Sequence, residues 1–273
     1  MPTNRTVNAR GKRLVTTALM LALAAGVAGC GTSRMTTGSI GRSGGKPLET
    51  MSAGEVHNAT AALGQSYAKN PNDKRIATNF AAALQMDGDA DQSLAVMRKL
   101  AITYPKDRDV LAAYGKALAA NGQFEAALDA VRRAQTPEYP DWKLVSAEAA
   151  ILDQIGQKND ARQLYRKALE LKPNEPSVLS NLGMSYVLEG DLRTAETYMR
   201  SAAQQPGADS RVRQNLALVV GLQGRFDEAE KIASQELSPE QAQANVAYLR
   251  QMLAQQNAWS QLKDQDKSKP ATN

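Results

Sequence analysis

The chain has a single cysteine, a single histidine and only 5% aromatic residues among its 273. One thiol cannot close an internal disulfide. One histidine, His57, excludes zinc sites built on histidine pairs and argues against a His-dependent triad. It reads as a solvated residue on the polar side of a helix. Scarce aromatics, with Ala and Leu dominating an apolar fraction of 42%, disfavour sheets and favour closely packed helices. The glycines are spread along the chain rather than clustered, so no phosphate-binding loop is present. Acids are missing altogether before Cys30, where Arg5, Arg10, Lys12 and Arg13 lie. Those four account for most of the formal charge of +5, and without residues 1–29 the balance is 29 basic against 28 acidic residues. A basic stripe interleaved with aromatics is lacking, which argues against nucleic acid as a partner.

The charge asymmetry marks a leader. A basic start ending at Arg13 is followed by an apolar stretch from Leu14 to Val27 and by the small residues Ala28 and Gly29. The apolar stretch is too short to span a bilayer comfortably, so residues 1–29 read as a cleaved signal peptide. Val27-Ala28-Gly29-Cys30 resembles the bacterial lipobox, with Val where Leu is favoured. The resemblance implies that Cys30 is diacylated and becomes the new N-terminus. Two acyl chains suffice for stable attachment, which would anchor the chain to a membrane without crossing it. Gly31, in place of Asp, resembles the outer-membrane sorting class and implies a periplasm-facing anchor. Residues 30–53 are rich in Gly, Ser and Thr and read as a flexible tether.

The body of the chain repeats. Gly88, Gly122, Gly156, Gly190 and Gly224 fall at a period of 34, a coincidence with a chance on the order of 10⁻⁶ at average glycine usage. Ser93, Ala127, Ala161, Ala195 and Ala229 form a second column, all small. Asp73, Asp107, Asp141, Glu175 and Asp209 form an acidic third. Pro71, Pro105 and Pro173 form a fourth, with Pro140 and Pro206 one place off. Paired helices account for all four. The acid caps a first helix, Gly ends it, the small residue lets the second helix approach closely, and Pro closes the pair.

These columns resemble the tetratricopeptide repeat over residues 74–107, 108–141, 142–175, 176–209 and 210–243. Unit 176–209 carries Leu182-Gly183, Tyr186, Gly190, Ala195 and Ala202, with Leu179 in place of Trp. The two outer units diverge, as terminal repeats with one unmatched face do. Helices flank the array: Val56, Ala59, Leu63 and Tyr67 share one side of residues 54–69, and Val246, Leu249, Met252 and Leu253 form a stripe near the other end. The fold expected is an all-α tetratricopeptide-repeat solenoid of antiparallel helix pairs over 54–258, with capping helices. Residues 259–273 are polar without a period and read as a disordered tail.

Motifs that would carry chemistry fail. Asp87, Asp89 and Asp91 mimic a calcium loop, but its sixth and twelfth positions are Gln92 and Arg98. Ser66-Tyr67-Ala68-Lys69 matches a short pattern of penicillin-recognising enzymes without its companion motifs. The expectation is therefore a binding scaffold with no catalytic residues, metal site, cofactor or small-molecule substrate.

Partner binding is expected on the concave face lined by first helices. Ser177, Asn181, Met184 and Leu188 follow helical spacing on one side of the fourth repeat, and Arg211, Asn215 and Leu218 repeat the arrangement in the fifth. Asn181 and Asn215 occupy equivalent positions, and an Asn amide can both donate to and accept from a peptide backbone. The same asparagines could instead support the turn or the packing between repeats. The segments Arg213–Glu230 and Asn245–Met252, with the lipobox and tether, resemble the TadD-type lipoproteins of tight-adherence (Flp) pilus systems. That resemblance implies an assembly factor for the pilus secretion machine, assisting its secretin. Other lipoprotein adaptors of the same architecture stay open: a type IV pilus pilotin, a β-barrel assembly component, or a scaffold for cell-wall hydrolases.

Overall fold

The computed structural model describes Leu48, residues 51–138 and residues 140–268, with side chains as far as Gln256. The signal peptide, Cys30 and nearly all of the tether lie outside the described residues. Twelve α-helices and no β-strand occur among the described residues. The chain divides into two compact units, the first ending at Leu164 and the second beginning at Tyr165. The division falls inside the helix Lys158–Leu171.

The first unit opens with α1 (Ala53–Lys69), started by a reciprocal capping box in which Ser52 and Glu55 satisfy each other's backbone N–H groups. Three pairs follow in register: α2 (Lys74–Met86) with α3 (Ala90–Thr103), α4 (Arg108–Ala120) with α5 (Phe124–Ala134), and α6 (Trp142–Gln154) with the start of α7 (Lys158–Leu171). The carboxylates of Asp73, Asp107 and Asp141 each accept a backbone N–H in the first turn of the helix that follows. One apolar core runs along the unit through Phe80, Leu84, Met97, Leu100, Val110, Leu118, Val131 and Ile151. At the longer connection between α5 and α6, buried Glu148 accepts from Arg132 at 2.7 Å and from Gln135 at 2.6 Å, tying the end of α5 to α6.

The second unit contains α8 (Pro176–Glu189) with α9 (Leu192–Ala203), α10 (Ser210–Leu222) with α11 (Phe226–Ala233), and α12 (Pro239–Ser268). Pro176 opens α8, where its missing N–H costs nothing. Glu175 does not cap the helix as the other acids do; it accepts instead from the Ser177 hydroxyl at 2.9 Å. Gly190 ends α8 at φ 91°, a left-handed conformation that a side chain would strain by about 1–2 kcal/mol. The other four column glycines also have positive φ, between 71° and 90°. The core of this unit is built from Val187, Ala195, Met199, Leu216, Val219, Val220, Ala229 and Val246.

Two details of the last repeat differ from expectation. Its second helix, α11, spans only eight residues, and α12 already begins at Pro239, inside the fifth period. The polar stretch expected to be a tail from residue 259 continues α12 as far as Ser268. Gln261, Leu262, Lys263, Gln265 and Lys267 are good helix formers, and a helix that is polar all round leaves no apolar period to read.

Candidate functional site

The small column sets the geometry. Ala127, Ala161, Ala195 and Ala229 have no exposure at all and Ser93 only 2%; the Ser93 hydroxyl donates to the Ala81 carbonyl at 2.8 Å, so its burial leaves no polar atom unpaired. Opposite Ala195 on α8 stands Gly183. A methyl group there would lie 3.0 Å from Met199 Cε and 3.1 Å from the Ala195 carbonyl oxygen. The absence of a side chain on one helix and a single methyl on the other bring α8 and α9 into close contact.

Close pairing leaves the far side of each first helix to neighbouring repeats. α2 packs on α4 and α4 on α6 in the first unit, and α8 packs on α10 in the second. This puts the residues singled out on α8 and α10 on adjoining helices. Ser177, Asn181, Met184, Leu188, Arg211, Asn215 and Leu218 are all half-buried. Several are committed locally. Ser177 is bonded to Glu175, and Arg211 pairs with Asp209 at 3.1 Å, so both hold the acid that precedes their own helix. Met184 packs against the apolar core. The Asn215 side chain donates to the Ser180 hydroxyl of α8 at 3.1 Å, a contact between the two repeats.

A charged ring joins the same two repeats. On α9, Glu196 accepts from Arg200 at 2.8 Å, from Gln223 at 2.8 Å and from Arg225. Glu228 of α11 closes the ring, bonded to Arg200 at 2.5 Å and Arg225 at 2.9 Å. The Arg225 hydrogen bond is the main reason that the Glu196 carboxyl is held down to about 2, with Gln223 and Arg200 adding to it against the opposing effect of burial. Hydrogen bonds to Glu228 and then to Glu196 raise the Arg200 guanidinium above its ordinary value, and the bond to Glu196 raises that of Arg225. Arg213 of α10 binds Glu236 and also donates to the Ala208 carbonyl, lowering the Glu236 carboxyl.

His57 is exposed, with Nδ1 3.0 Å from an Asp87 oxygen. Asp89 caps α3, and no group of three or more metal-ligating side chains occurs among the described residues. Ser66 donates within α1 to the Ala62 carbonyl at 3.2 Å. No described helix is long and apolar enough to cross a membrane.

Sequence reasoning missed the charged ring and Ser180. It also missed a recurring tie between repeats: Asn121 donates to the Ala90 carbonyl at 2.8 Å, and Gln223 reaches the Leu192 carbonyl at 3.4 Å. Asn121 and Gln223 each stand just before a column glycine, three periods apart, and their acceptors, each two residues past a column glycine, are separated by the same three periods. An amide side chain recurring at that position was the available signal.

Comparison with known proteins agrees with this architecture. Tetratricopeptide-repeat family signatures match residues 109–133 and 147–175. A tetratricopeptide repeat protein from Parabacteroides merdae ATCC 43184 is similar, at 13% identity and a TM-score of 0.62, with 72% of this chain and 78% of that one covered. A thermophilic TPR protein of Thermus thermophilus is similar at 19% identity and a TM-score of 0.55, covering 66% of this chain and 97% of the other. No curated protein matches the chain. The fold is an all-α tetratricopeptide-repeat fold. What such repeats supply is a scaffold for protein–protein interaction.

Proposed function

We propose that this protein is a lipid-anchored scaffold of the outer membrane, facing the periplasm, that holds protein partners during assembly of a tight-adherence (Flp) pilus secretion machine and assists its secretin. The observation that carries the binding surface is the packing of α8 on α10, which sets Asn181 and Asn215 on equivalent half-buried positions of adjacent first helices. Helices packed 8–10 Å apart separate such positions by roughly 10–20 Å, a gap that an extended peptide of about three to six residues spans. The lipobox-like Val27–Cys30 supports the anchor. The pilus role is supported by the resemblance of segments Arg213–Glu230 and Asn245–Met252 to TadD-type lipoproteins.

The test is capture of the secretin and other pilus components from detergent-solubilised envelopes. Asn181→Ala combined with Asn215→Ala should reduce capture by about tenfold or more, two net hydrogen bonds' worth, with helicity unchanged and the thermal midpoint lower by about 2–4 °C for the lost Asn215–Ser180 bond. Wild-type capture by the folded double variant would move the surface elsewhere. Capture of β-barrel assembly components or cell-wall hydrolases in place of pilus proteins would replace the pilus reading with another adaptor role.

A further inference from the structure

Ser180 is a buried polar side chain bonded across the contact between α8 and α10. It is 3% exposed, and its hydroxyl accepts from Asn215 Nδ2 at 3.1 Å while lying 3.5 Å from Met199 Sδ. That hydroxyl is the single side-chain partner that the Asn215 amide has among the described residues. One N–H is therefore used, and the carbonyl oxygen and second N–H stay available at a half-buried position. An unanchored carboxamide can rotate freely about its terminal torsion, which is broad and roughly two-fold. A hydrogen bond to a hydroxyl fixed in the core removes most of that freedom. Polar groups held in place before binding lose less on complex formation than those ordered by the ligand.

We propose that Ser180 is a positioning residue for partner recognition: it holds the Asn215 amide with its carbonyl oxygen free to accept a backbone N–H from an extended segment of the partner. The inference rests on the binding surface proposed above. It adds the partner's chemistry, a backbone donor rather than a charged side chain, and a buried residue acting through a more accessible one. Met199 suits the arrangement: the Ser180 hydroxyl donates to its thioether sulfur, which takes up the proton and leaves the hydroxyl lone pairs to accept from Asn215.

The experiment is a double-mutant cycle. Peptides selected on the wild-type protein from a random displayed library serve as the probe, and their affinity is measured for wild type, Ser180→Ala, Asn215→Ala and the double variant. Thermal midpoint and helicity report folding. Ser180→Ala should weaken binding about threefold to tenfold, and the double variant should bind no more weakly than Asn215→Ala alone, because Ser180 acts only through that amide. N-methylation of one backbone amide in the peptide should cost wild type a similar factor and cost Asn215→Ala nothing. Ser180→Thr, which restores the hydroxyl, should recover binding wherever its midpoint matches wild type. Equal losses from Ser180→Ala with and without Asn215 would overturn the positioning role and leave the surface intact. No loss from any of these variants, for peptides that do bind, would overturn both the positioning role and the surface.

Discussion

Ala195 is completely buried, in the core cluster that holds Val187, Met199 and Leu216. Gly183 shows the tightness of the contact between α8 and α9, because even a methyl group would approach Met199 and the Ala195 carbonyl more closely than ordinary packing allows. Ala195→Leu is therefore expected to overpack the pair and to destabilise the protein by about 1–3 kcal/mol. Chemical denaturation would register this as a lower midpoint at an unchanged slope. An unchanged midpoint would mean that α8 and α9 part readily, against the packing described. Ser93 occupies the same column, and its bond to the Ala81 carbonyl explains how a hydroxyl stands where the other repeats have methyl groups.

Between elements, the ring around Glu196 is a heavily bonded side-chain cluster linking the fourth and fifth repeats. Exposed ion pairs contribute little singly, but Glu196 is only 14% exposed and takes hydrogen bonds from three donors. Its carboxyl is held at about 2 against an ordinary 4.5. A depressed carboxyl stabilises the fold above its unfolded value, so the contribution is complete above roughly pH 4.5 and is lost as the pH falls through about 2. Glu196→Gln should lower stability at pH 7 by about 1 kcal/mol and flatten the acid limb of the midpoint-versus-pH curve. A variant whose curve stays parallel to wild type between those pH values would show that the ring does not couple to folding. This cluster was not legible in the sequence, whereas the helix pairs were. Caps and turns depend on residues within a few positions of one another: Asp73, Asp107, Asp141 and Asp209 cap, and Gly190 turns, for local reasons that a period repeats. Glu196 with Arg225, and Ser180 with Asn215, meet only once neighbouring helices are placed and rotamers chosen. The far half of α12 was missed for another reason, since its sequence carries no apolar period to read.

For the whole molecule, the scaffold is useful only where it is held, and the proposed anchor rests on a cysteine outside the described residues. Cys30 is the single thiol of the chain and directly follows a basic start, an apolar stretch and two small residues. On the proposed export, a single thiol at that place fits lipidation, because an idle free thiol would be open to oxidation or mispairing in an oxidising compartment. Two acyl chains contribute about 0.8 kcal/mol for each buried methylene, enough that attachment persists without a spanning helix. The Gly/Ser/Thr-rich segment that follows has the composition of a flexible linker, which would let the repeat array reach partners at the membrane surface. Cys30→Ser is therefore expected to abolish acylation and to move the protein from the membrane fraction to the soluble fraction, or to leave it unprocessed. Its repeats should keep their helicity, since none of their described contacts involves residue 30. Mass spectrometry of the N-terminal peptide of the mature wild-type protein should find Cys30 diacylated or triacylated, with residues 1–29 removed. An unmodified Cys30 on that peptide would reject the anchor, and with it the outer-membrane location on which assistance to a secretin depends.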